Sequence, residues 1–429
     1  MFAMNSPRVL IVSFHASARF GGEAALPLHY FRILRDRGCD VWLISHARTR
    51  DELSSLFPDE KRIVYIEDTR MHRLMWRAGR RLPSQIAYFT TGFIGRFAAQ
   101  LEQRRLVRYL VAEHGVNIVH QPMPVSPREP SMMYGFGVPV IIGPMNGGMD
   151  YPQSFRQQRG TAERAMLWFG RWSASALNWL MPGKRHAAYL LVANQRTRNA
   201  LPAGVCERVV EMVENGVDLS LWRNEPPSSE IKATYSGATF AFVGRLIDWK
   251  AVDLLLLAFQ RASTRSLVRL VIMGDGNERP RLETLARSLG VLATEKGQPS
   301  KAYFAGWLSQ DACARELQRA DCLVLPSLLE CGGAVVLEAM STGKSVIATA
   351  WGGPADYLDD SRGILVPPTD RETLIEGFTN AMVHFAASPS TRREIGRRGC
   401  EKVVNHYDWE LKVDQMISIY EQALAHTLA

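Results

Sequence analysis

With 429 residues, 46% of them apolar, the chain is too long to close one ordinary core, so two domains are the default. The net charge of +8 suits nucleic acid, an anionic membrane surface or phosphorylated substrates, and composition alone does not choose among them. The six cysteines form no Cys-x-x-Cys pair and have no matching histidine spacing, which excludes a recognisable zinc pattern and predicts free thiols in a reducing compartment.

The opening MFAMNSPRVLIVSFHAS runs directly into a strand-like segment and lacks the layout of a signal peptide, which predicts a cytoplasmic location. Short Val/Ile/Leu runs then alternate with helix-like segments, the pattern of buried parallel strands joined by crossover helices. The first set is 8–14, 40–46, 62–68, 116–122, 138–144 and 189–194. After the first strand, Gly21 and Gly22 precede a helix, a place for close backbone approach to a phosphate or an acceptor. The dinucleotide fingerprint Gly-x-Gly-x-x-Gly is absent, which argues against a nicotinamide-dependent oxidoreductase.

Positive charge concentrates in 70–110 and again in 164–186, both mixing basic residues with Trp, Phe and Leu. Such segments suit an anionic membrane surface, with a lipid-linked acceptor to follow; solvated helices packed on the domain suit the pattern equally, and both readings stay open. No nucleic-acid-binding module accompanies the charge, so no nucleic-acid partner is expected. No membrane span is expected either, because the nearest candidate, 165–181, is interrupted by Arg171. In VIIGPMNGGMDYP, Asn146, Gly147 and Gly148 follow a strand and are candidates for acceptor binding or loop closure, or for a tight turn that merely requires glycine.

The stretch 206–237, with Pro226 and Pro227, reads as a linker. A second set of strands follows at 238–245, 266–276, 301–307, 321–327, 344–350 and 363–368. The stretch PSLLECGGAVVLEAMSTGKSVIATAWGGPADYL then reads as strand end, glycine loop, helix, turn, strand and glycine-rich loop. Ligands of open α/β sheets bind beyond the carboxyl ends of the strands, which places Glu330, Gly332, Gly333, Gly352, Gly353 and Asp356 at one edge. Gly332 and Gly333 open the start of a helix to an anion. Glu330 precedes that helix and Glu338 is expected about two turns inside it, each able to accept hydroxyl hydrogen bonds. Arg245 and Lys250, in or near a strand-to-helix loop, supply two cations for a diphosphate. The last segment reads as an amphipathic helix with Trp409, Val413, Met416, Ile417 and Tyr420 on one side.

GRLIDWK, ECGGAVVLEAMSTGKSVIAT, WGGPAD and ENGVDLSLW together resemble the family 4 retaining glycosyltransferases of the GT-B fold. The resemblance implies an α/β protein of two Rossmann-like domains whose parallel sheets face a central cleft. It implies an N-terminal acceptor domain over 1–205, a nucleotide-sugar donor domain over 206–395, and a C-terminal helix in 396–429 packing back on the first domain. By position, Gly244, Arg245 and Lys250 would bind the donor diphosphate, Glu338 the ribose and Glu330 the transferred sugar. Gly21 and Gly22 would face the donor phosphates and His120 the sugar; a structural role for His120 is equally open.

The implied enzyme is a retaining, metal-independent hexosyltransferase without a cofactor, in keeping with the absence of an Asp-x-Asp signature. Its substrates would be a nucleotide diphosphate sugar and a glycan or lipid-linked acceptor, used in cell-surface polysaccharide or glycoconjugate synthesis. The alternatives are a nucleotide-sugar 2-epimerase and a non-catalytic sugar-nucleotide-binding protein. Two departures stand out. Ala251 replaces the usual glycine after the lysine, and Cys331 replaces the aromatic that often follows the first glutamate.

Overall fold

A computed structural model describes residues 6–80, 88–158, 173–224 and 235–428. Pro226, Pro227 and residues 164–172 of the second basic stretch lie outside these. The chain divides into two compact units, one of 1–148, 160–214 and 410–429, the other of 149–159 and 215–409. The linker-like stretch is therefore divided at Glu214, and residues 396–409 belong with the second unit.

The first unit holds a seven-stranded sheet in the order β3-β2-β1-β4-β5-β6-β7. Its strands are β1 Arg8–Val12, β2 Asp40–His46, β3 Ile63–Ile66, β4 Ile118–Gln121, β5 Val140–Met145, β6 Tyr189–Val192 and β7 Val209–Glu211. Every paired neighbour is parallel. The apolar runs form strands because helices cover both faces, and Val9 to Val12 are buried almost completely. β7 was not expected: it is three residues long and only half-buried at the sheet edge, too short to leave a pattern.

The last helix, Trp409–Leu428, starts at the junction of the units and continues into the first. Val413, Met416 and Tyr420 are fully buried, and Ile417 only partly. Arg37, at the end of helix Gly22–Asp36, holds it from outside through Glu410 and Asp414, each at 2.6 Å. Inside, the Lys412 ammonium donates to the Val213 carbonyl, and burial lowers its pKa to about 8.

The second unit holds a six-stranded parallel sheet in the order β10-β9-β8-β11-β12-β13. Its strands are β8 Ala238–Val243, β9 Val268–Met273, β10 Ala302–Gly306, β11 Cys322–Leu325, β12 Ser345–Thr349 and β13 Ile364–Val366. Both sheets are doubly wound, with the order reversing between β1 and β4 in one and between β8 and β11 in the other. Such a reversal opens a crevice at the carboxyl ends of the two central strands.

Candidate functional site

In the second unit the loops after β8 and β11 meet. The Leu328 amide donates to the Trp249 carbonyl at 2.9 Å, joining the two loops by their backbones. The Lys250 ammonium donates to Glu330 Oε2, and Ser327 Oγ donates to the same oxygen at 3.2 Å. Lys250 and Glu330, placed separately on diphosphate and sugar by the motifs, are thus a direct ion pair with both side chains about 85% buried, at 15% and 14% exposure. Arg245 is exposed and takes part in no ion pair among the described residues, so its charge is available to a ligand.

The backbone explains the first departure from the family pattern. Ala251 has φ +51°, the left-handed region in which glycine is ordinarily found, and it starts helix Val252–Arg265. Its side chain is buried, so this chain tolerates the strained residue where the family uses glycine.

Glu330 is fixed by its main chain as well. Its carbonyl accepts from the Gly353 amide at 2.8 Å, and a Cβ on Gly353 would lie 2.3 Å from the Gly332 carbonyl oxygen. Only glycine allows the loops after β11 and β12 to approach so closely. Trp351 Nε1 donates to the Asp150 carbonyl at 2.8 Å, which lays the segment from Met149 along the same glycine loop. Gly333 begins helix Ala334–Ser341, which has no side-chain cap, leaving its first amides to an anion.

Because the helix starts at Ala334, Glu338 lies little more than one turn inside it, not the expected two. It is half-buried, and its carboxylate has no hydrogen-bond partner among the described residues. Burial raises its pKa to about 7. Cys313 lies near enough to feel its charge, although burial is the main cause of that thiol's rise to about 12. A folded pKa above the ordinary carboxylate value contributes stability at low pH that is lost as pH rises towards 7. Glu338→Gln is therefore expected to raise the melting temperature of the ligand-free protein at pH 8 and to change it little at pH 5. Ligand binding carries the opposite sign: if ionised Glu338 accepts a vicinal diol, affinity grows about tenfold between pH 6 and 8 in the native protein and stays flat in the variant. Melting curves and titrations at the two pH values check both.

In the first unit, Gly21 has φ +100° and starts helix Gly22–Asp36 without a side-chain cap, and a Cβ at Gly21 or Gly22 would meet nothing within 4 Å. The start of this helix leaves space at both glycines. The loop before it is tied by Glu52, which accepts from Ser17 Oγ at 2.5 Å and from the Ala18 amide at 2.9 Å. At the end of β1, His15 makes no hydrogen bond with either nitrogen among the described residues, and burial, with His46 and Arg48 nearby, lowers its pKa to about 4. Neither Glu52 nor His15 was singled out from sequence; the only available signal was the position of His15 just beyond a strand end.

His120 requires correction. It is fully buried, with Nε2 2.7 Å from the Gly143 carbonyl and Nδ1 2.8 Å from the Tyr420 hydroxyl. Burial lowers its pKa to about 4, so the ring is neutral, with Nε2–H donating to the carbonyl and Nδ1 accepting from tyrosine. A ring committed at both nitrogens holds β4, β5 and the last helix together and does not face a ligand. His120→Phe is expected to lower unfolding stability by about 2–4 kcal/mol, from the partners left unsatisfied, with turnover per folded molecule unchanged. Urea midpoints alongside active-site titration separate the two effects.

Asn146, Gly147 and Gly148 are likewise held by contacts within the first unit. Asn146 is buried and donates to Glu214 Oε1 at 2.7 Å. A Cβ on Gly147 would lie 2.6 Å from Pro127, and one on Gly148, at φ +72°, 2.7 Å from Ala200. Both glycines are thus packed closely against their neighbours, as a tight turn requires.

Two doubly wound parallel units, the second with two cations and two carboxylates at its switch point, are the architecture of the GT-B fold. Residues 236–399, within the second unit, match the family described as Glycosyl transferases group 1. A D-inositol 3-phosphate glycosyltransferase of Kribbella flavida is 31% identical over 50% of this chain and 51% of its own length. The chain spans about half the length of the curated relatives it matches. Among solved structures, a sucrose-phosphate synthase from Thermosynechococcus elongatus shares the fold with a TM-score of 0.66 at 19% identity, covering 98% of this chain and 100% of its own. Anabaena HepE, in complex with UDP and glucose, shares it with a TM-score of 0.64 at 15% identity, covering 97% and 99%.

Proposed function

We propose that this protein transfers a hexose from a nucleotide diphosphate sugar to a hydroxyl of a glycan or lipid-linked acceptor, with retention of anomeric configuration. The observation that carries the reading is the Lys250–Glu330 pair beside the free Arg245, at the switch point of a group 1 domain. In this scheme Arg245, Lys250 and the uncapped amides after Gly333 hold the diphosphate, and Glu338 accepts from the ribose hydroxyls. Glu330, held by Lys250 and Ser327, accepts from a hydroxyl of the sugar. The bond from C1 to the β-phosphate oxygen breaks as these donors stabilise the departing charge. The acceptor oxygen bonds to C1 on the same face, its proton passes to the departing phosphate, and the nucleoside diphosphate leaves.

Fixed cations take the role that a metal ion fills elsewhere, so we propose a metal-independent reaction. Among the described residues no group of three or more His, Cys, Asp or Glu side chains is placed to hold a metal. Cytoplasmic synthesis of a surface glycoconjugate fits the acceptor classes in the relatives' names, which include inositol phosphate and lipopolysaccharide core. The test is nucleotide release from a panel of nucleotide sugars with and without bacterial glycolipid extract, with product configuration read by NMR. Acceptor-dependent release with the donor's configuration kept is expected; release without acceptor alongside a C2-inverted sugar would indicate an epimerase.

A further inference from the structure

The two basic, apolar stretches of the first unit are distant in sequence, yet the fold brings parts of both to one place. Helix Phe93–His114 grips the segment 128–132: Arg96 pairs with Glu129 at 2.7 Å, and Gln100 bonds Pro130 and Met132 at 3.2 and 2.8 Å. From its other side, Asn178 donates to the Arg128 carbonyl at 2.8 Å and Lys184 to the Glu129 carbonyl at 2.7 Å. Around this segment stand Trp179 and Leu180, 67% and 65% exposed, with Ile94 and Leu101 exposed on the helix. Helix Arg70–Gly79 packs on the same helix and adds the exposed Met71 and Leu74.

The charge on this surface is predominantly positive. Helices Arg70–Gly79 and Phe93–His114 carry seven Arg against two carboxylates, Glu102 and Glu113. Arg77, Arg105 and Arg108 are exposed and make no ion pair among the described residues. Arg108 lies close enough to Arg104 to oppose its charge. Aliphatic side chains such as Ile94, Leu101 and Leu74 gain nothing by stacking on nucleobases but gain by entering acyl chains, and a tryptophan beside arginines suits the interface between headgroups and hydrocarbon.

We infer that this face, built from helices Arg70–Gly79 and Phe93–His114 and the Trp179–Leu180 corner, docks on an anionic lipid bilayer. No helix among the described residues is long and apolar enough to cross one, so the docking is peripheral. Each basic side chain at an anionic surface contributes roughly fivefold in partitioning, so Arg105→Ala with Arg108→Ala lowers binding roughly thirty-fold. Trp179→Ser with Leu180→Ser lowers it roughly tenfold or more through lost apolar insertion.

The test is co-sedimentation of the full chain with vesicles of phosphatidylglycerol and phosphatidylcholine against phosphatidylcholine alone, with circular dichroism to confirm folding. Binding to the anionic vesicles only, weakened by salt and by both double variants, is expected. Arg287→Ala with Arg315→Ala, which removes the same charge from exposed positions of the second unit, should leave binding unchanged. Equal loss from that control would overturn the inference in favour of net charge alone. Self-association without vesicle binding would assign the face to a second copy of the chain. The assay needs no turnover, so its outcome is independent of the transferase reading.

Discussion

Arg245→Ala is expected to lower kcat/KM for the nucleotide sugar by roughly two to three orders of magnitude, the usual cost of removing one preorganised donor to a developing anion. The residue makes no ion pair among the described residues, so no buried partner is stranded, and folding stability should change by no more than about 0.5 kcal/mol. A large kinetic loss without a stability loss is the signature of a residue that spends its charge on ligand. Steady-state kinetics beside a urea titration read both quantities. Turnover equal to the native enzyme would remove Arg245 from the mechanism.

Lys250→Met is expected to cost as much activity by a different route. Lys250 is held by Glu330 in the ligand-free protein, so its removal deprives the diphosphate of a cation and leaves a largely buried carboxylate without its counter-charge. Glu330→Gln should also be severely impaired, and the double variant no worse than the poorer single one, because residues acting as a unit are non-additive. Multiplying losses in the double variant would mean that the two groups act independently and that the ion pair is incidental.

Twelve of the thirteen strands among the described residues were legible because parallel strands buried on both faces become continuous apolar runs, as in β1 and β8. β7 escaped because two half-buried valines and an exposed glutamate at an edge carry no such run. The charged groups of the second unit were legible for a related reason: Arg245, Lys250, Glu330 and Glu338 stand on loops and a helix start whose places follow from strand ends and glycines. What spacing could not give was that Lys250 and Glu330 touch, a contact between residues 80 apart in the chain.

The first unit was less legible because its polar residues are satisfied over long distances. His120 bonds a tyrosine 300 residues away, and Asn146 a glutamate 68 away. A histidine after a strand looks the same in sequence whether it faces a ligand or the core, and only Tyr420, on a helix from the other end of the chain, decides the matter. The glycines after Asn146 look like ligand-approach glycines until Pro127 and Ala200 are seen against them.

The most direct measurement is a calorimetric titration of the full chain with the nucleoside diphosphates and monophosphates of uridine, guanosine, adenosine, cytidine and thymidine, repeated on Arg245→Ala. The expected result is that one diphosphate binds at least about tenfold tighter than its monophosphate, the difference that a single charge-assisted contact supplies, and that the advantage disappears in the variant. Equal affinity for the two nucleotides, or no binding by any diphosphate, would contradict a diphosphate site built on Arg245 and Lys250.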